Sequence, residues 1–75
     1  MKVTYFGKPK RDVEVIYYIL YVSVEKGKRS KWAGECSERI EIDNRLKRYF
    51  VNNNYVSAKV ICKFDGGEYV EYIKT

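Results

Sequence analysis

Residues 13–24 read VEVIYYILYVSV, and nearly every side chain in that run is β-branched or aromatic. Such side chains lose χ1 freedom in a helix but pack well on a pleated surface. The run therefore reads as one long strand extending to Glu25. Its odd positions carry Val13, Val15, Tyr17, Ile19, Tyr21 and Ser23; its even positions carry Glu14, Ile16, Tyr18, Leu20, Val22 and Val24. Both faces are apolar, so both require cover. One can line a core. The other needs a helix, a partner or a ligand.

The rest of the chain is arranged around that strand. Val3 and Tyr5 alternate with Lys2 and Thr4, which predicts a short strand over residues 1–6. Gly7 and Pro9 punctuate a loop over residues 7–12, where Pro9 keeps Lys8 out of helix. Residues 26–31 form a hairpin connection, with Gly27 available for a positive φ. Residues 31–42 read as its return strand, with Trp32, Gly34, Cys36, Ile40 and Ile42 on one face. Lys31, Ala33, Glu35, Ser37, Arg39 and Glu41 take the other face. Glu38 interrupts the apolar side, which allows a bulge or an early strand end near residues 36–38, or a helix starting at Ser37 as N-cap.

Residues 43–53 are the helix candidate, with Asp43 as N-cap and a stripe of Ile42, Leu46, Tyr49, Phe50 and Asn53. Asn52, Asn53 and Asn54 supply a terminator. Arg45 then falls in the first turn, against the helix dipole. Residues 55–64 are a strand with Val56, Ala58, Val60, Cys62 and Phe64 on one face. Asp65, Gly66 and Gly67 turn it into a last strand over residues 68–74. A three-residue turn puts Val70 and Tyr72 with Val60 and Cys62, leaving Tyr69, Glu71 and Ile73 outside; a two-residue turn reverses this.

The order is thus β-β-β-α-β-β. Seventy-five residues make one domain, residues 1–75. The expected fold is α+β: a small twisted antiparallel sheet of four to five strands with one short helix on one face. A small, partly closed β-barrel is the alternative.

The composition narrows the function classes. The chain has no histidine, which removes the commonest general base and every histidine-containing triad. Gly66 and Gly67 sit in a hairpin rather than between a strand and a helix, so no phosphate-cradling loop is present. Cys36 and Cys62 are too few for a metal site and read as small core residues. No apolar run is long enough to span a bilayer as a helix, and residues 1–4 do not open a signal sequence. A non-enzymatic binding protein is expected, cytoplasmic, without metal or cofactor.

Fifteen Lys and Arg against ten Asp and Glu give a net charge of +5. That balance favours an anionic partner, either nucleic acid or an acidic protein surface. The candidate contacts are Lys8, Lys10 and Arg11 in the first loop, Lys26, Lys28, Arg29 and Lys31 in the hairpin, and Arg45 and Arg48 on the helix. If the helix covers the even face of the long strand, the open face shows Tyr17, Ile19 and Tyr21, flanked by Arg39, Lys59, Ile61 and Lys63. Rings with lysines around them suit single-stranded nucleic acid, with bases stacking and phosphates meeting charge. The same face would serve self-association, and a homo-oligomer, most simply a dimer, is expected. Two other functions fit the composition. One is an accessory protein of a virus or mobile element that inhibits a host defence protein. The other is an oligomer that sequesters a small anionic nucleotide.

Overall fold

A computed structural model of the protein describes residues 2–23, 30–52 and 56–74. Its elements are β1 (Lys2–Phe6), β2 (Val15–Ser23), β3 (Lys31–Cys36), α1 (Arg39–Asn52), β4 (Ser57–Phe64) and β5 (Gly67–Lys74). The five strands form one antiparallel sheet in the order β1-β5-β4-β2-β3. The sheet does not close: β1 and β3 are its edges. The α+β architecture and the element order follow the sequence expectation, and the barrel does not form.

One face of the sheet holds the core. Leu20, Val22, Ala33, Ala58, Val60, Cys62 and Ile73 meet Ile42 and Leu46 of α1 there, all buried. Tyr49 and Phe50 of the helix flank that cluster. The even face of β2 is therefore the covered one. A three-to-four-turn helix is marginal alone, and its apolar stripe against the sheet is what holds it.

Four local expectations are corrected or narrowed. First, β2 is shorter than residues 13–25. Its ladder with β4 begins where Val15 pairs with Phe64, next to the hairpin turn, so Val13 and Glu14 have no strand to join. Val24 and Glu25 lie outside the described residues. The register also shifts between Val15 and Tyr17, so Ile16 is an extra residue and stays exposed although it is even-numbered.

Second, of the readings left open for residues 31–42 the early strand end holds: the return strand stops at Cys36, and the helix starts at Arg39, close to the Ser37 alternative and not at Asp43. The Glu41 amide donates to the Glu38 carbonyl at 3.2 Å and closes the first turn. Glu41 sits near the positive end of the helix dipole. Ile40 and Ile42 alternate as in a strand, which disguised the change of period. In the helix they separate: Ile42 is buried and Ile40 points to solvent. Arg45 is then in mid-helix, and the expected conflict with the dipole disappears.

Third, β3 carries its bulge at Ala33. Leu20 pairs with Gly34 and Tyr21 with Trp32, so the register shifts between them. Gly34 and Cys36 face the core as expected, but Trp32 is carried to the opposite face and is exposed. Fourth, of the two turns left open between β4 and β5 the two-residue one forms, Asp65 and Gly66, with Gly66 at φ 101°, and the three-residue turn does not. Glu71 and Ile73 therefore face the core, opposite Val60 and Ala58, while Val70 and Tyr72 go to the open face. Asn53, Asn54 and Tyr55 lie outside the described residues.

Candidate nucleic-acid interface

The face of the sheet turned away from α1 is built by register. One row across the strands runs Trp32, Tyr21, Lys59, Tyr72 and Thr4. The next runs Glu35, Ile19, Ile61, Val70 and Phe6. A shorter third row is Tyr17, Lys63 and Glu68. Five rings thus share the open face with an aliphatic centre. Trp32 is 58% exposed, Phe6 59%, Tyr72 39% and Tyr17 37%, so their ring faces are available to a ligand.

Local contacts fix these rings. Phe6 meets Tyr72 edge to face, with centroids 5.0 Å apart and planes at 80°. The Lys59 ammonium lies over the Tyr21 ring, 5.0 Å from its centroid. Lys63 bonds Glu68 at 3.3 Å across the hairpin. By register, Lys2, Lys59, Lys63 and Lys74 share this face with Glu35 and Glu68, four positive charges against two negative. The face is positive overall and apolar at its middle.

Of the residues expected to bind, Tyr17, Tyr21, Lys59 and Lys63 come together here. Trp32 and Phe6 were not foreseen, and Tyr72 only through the two-residue turn. Two signals pointed to them: a glycine inside a strand often marks a bulge, and Asp-Gly is the preferred two-residue hairpin turn.

The remaining basic candidates lie elsewhere. Lys8 sits on the core side, with its ammonium 4.2 Å from the Tyr5 centroid and 5.9 Å from that of Tyr69. Lys10 and Arg11 are exposed in the loop between β1 and β2. Lys31 pairs with Val22, so its register puts it on the helix side of the edge strand. Arg45 and Arg48 belong to the helix and line, with Glu41 and Asn44, a shallow depression of about 300 Å³. Arg45 has a structural task there: its Nη1 donates to the Ala33 carbonyl at 3.1 Å, at the bulge. Lys26, Lys28 and Arg29 lie outside the described residues.

Arg39 does not flank the open face. It is on the core side, where its Nη1 and Nη2 donate to both carboxylate oxygens of Glu71 at 2.8 and 2.9 Å. Its Nε donates to Asp43 at 3.0 Å, and its guanidinium lies 5.6 Å from the Tyr18 centroid. The hydrogen bonds to Glu71 hold Arg39 protonated well above its ordinary range.

Burial pushes both thiols up, Cys62 in the core and Cys36 beside Glu41. Neither has the lowered pKa of a reactive cysteine. Among the described residues no Cys, Asp and Glu group has metal-binding geometry. No described helix is long and apolar enough to cross a membrane. The arrangement on the open face can stack planar groups and neutralise anions. No known protein family, curated protein or solved structure matches the chain.

Proposed function

We propose that this is a non-enzymatic binding protein whose open sheet face takes single-stranded nucleic acid. The observation that carries this reading is the cross-strand row of Trp32, Tyr21, Lys59 and Tyr72, three rings with an ammonium among them. Stacking of a base on such a ring contributes about 1–3 kcal/mol and tolerates any sequence, because every base has a π-face. The lysines meet the phosphates, and the net charge of +5 steers the approach. A duplex keeps its bases stacked on each other and gives these rings nothing to stack on.

Trp32 is the sole tryptophan and lies in this row, so its fluorescence reports directly on the face. Titration with a mixed-sequence single strand at ~50 mM salt is expected to quench it, and ~500 mM salt to reverse the quench. Trp32→Ala, followed by co-elution, is expected to weaken binding about 5- to 150-fold. Lys59→Ala is expected to lower the salt slope by about 0.7. Absence of both quenching and co-elution at low salt overturns the reading and turns the face over to a protein partner.

A further inference from the structure

We propose that β1 is a homotypic docking edge, which pairs antiparallel with β1 of a second copy to make one continuous ten-stranded sheet. The two edges of the sheet differ. At β3 the extra residue Ala33 breaks the ladder, and Arg45 reaches from the helix to the Ala33 carbonyl. Gly34 twists the same edge with φ 122°. Bulges and covering side chains are how edges are kept from pairing. At β1 nothing of the kind is found among the described residues. All five residues are exposed, their register with β5 is unbroken, and among the described residues no strand lies on the other side. The sequence KVTYF contains no proline and has one charge, at its start. Its outward backbone groups form an open template for another strand.

The occupant follows from self-complementarity. Residues directly opposed in an antiparallel pair share a face. Pairing β1 with itself over its full length therefore centres the two-fold axis on Thr4. Lys2 then opposes Phe6 of the second copy on the open face, an ammonium beside a ring. Val3 opposes Tyr5 on the other face, an aliphatic–aromatic pair of the favourable kind. Thr4 meets Thr4, and no like charges are opposed. Registers centred on Val3 or Tyr5 lose overlap and separate Lys2 from Phe6. Because opposed residues share a face, the two ring-bearing faces join into one surface.

A five-residue strand pair is below the ~1,200 Å² of a standard interface, so the dimer is a weak one. Two chains of charge +5 repel, and added salt strengthens this pairing. That is the opposite of the salt trend for nucleic-acid binding, so the two proposals fail separately.

The test is sedimentation velocity of the full chain without nucleic acid. The wild type is expected to show a concentration-dependent monomer–dimer equilibrium that shifts toward dimer with salt. Thr4→Lys and Thr4→Glu each place like charges across the axis, and each is expected to weaken the dimer about five-fold. Thr4 is exposed, so melting curves of the two variants are expected to match the wild type. An equal mixture of the two is expected to dimerise at least as well as the wild type. Amide exchange in the wild type supplies a second readout: protection that rises with concentration is expected in β1 and not in β3. A wild type monomeric at ~1 mM, corresponding to about −4 kcal/mol, overturns the proposal. So does a Thr4→Lys dimer as strong as the wild type, or concentration-dependent protection that spares β1.

Discussion

Glu71 is 6% exposed and would be a costly charge to bury alone. Arg39 engages both of its oxygens, and Asp43 takes the remaining direction of the guanidinium. Such a pair is poor evidence of net stability but expensive to break by halves. Arg39→Ala leaves the carboxylate without its partner and is expected to cost about 3 kcal/mol in urea unfolding. Glu71→Ala leaves a guanidinium that still reaches Asp43 and solvent, and is expected to cost about 1 kcal/mol. Arg39→Met with Glu71→Leu is expected to fall within about 1 kcal/mol of the wild type. A double variant as unstable as Arg39→Ala would show that the pair itself supplies the stability. Tyr69 behaves differently. Burial, with the Cys62 thiol beside it, pushes its hydroxyl up to about 12. Tyrosines of the unfolded chain ionise near pH 10. Below that pH, Tyr69 is neutral in both states and its contribution is fully present. Between pH 10 and 12 the unfolded chain releases a proton that the folded protein keeps, so stability falls as pH rises. Melting temperatures from pH 8 to 12 are expected to drop over that window, and Tyr69→Phe to flatten the drop.

At the scale of elements, the bulge of β3 decides what the open face carries. A Cβ on Gly34 would lie 2.5 Å from Arg45 Nη1, and the backbone there has φ 122°, which L side chains rarely adopt. Gly34→Ala is expected to destabilise the fold by about 1–3 kcal/mol. Arg45 can swing its flexible end away, whereas the backbone cannot relax without undoing the bulge. Adding Arg45→Ala is therefore expected not to rescue Gly34→Ala in urea unfolding; a full rescue would assign the cost to the side-chain clash. This bulge also marks how far the sequence could be read. The alternation along β2, the stripe of Ile42, Leu46, Tyr49 and Phe50, and the alternation of β4 were legible because burial imposes a period, but which face of β2 the helix covers was not, since both are apolar. Trp32 was not legible, and Tyr72 only as one of two open readings, because one inserted residue or one turn residue flips every side chain beyond it. Glu71 falls inside or outside on the same turn residue, and the sequence left both turns open. Its partner Arg39 was hidden too, since Ile40 and Ile42 alternate as in a strand although both belong to the helix.

Seen whole, the protein is a slab with two unlike sides. One side is closed by a helix and stitched by Arg39 and Glu71; the other offers rings and lysines to whatever meets it. Among the described residues, the basic side chains are not gathered into one stripe. Lys8 and Arg45 have intramolecular partners on the closed side. Lys59 and Lys63 stand among the rings, which is why the proposed binding rests on stacking as much as on charge. The strand order has a further consequence. Lys2 pairs with Lys74, and β2 finds its central partner β4 only across the helix. Contacts so distant along the chain make folding slow, on the order of milliseconds to seconds. Of the five strands, β1 is made before the others and has no seat until β5 exists. Of these five, the strand made earliest is the last to dock, and a chain halted before residue 67 lacks the partner that β1 pairs with.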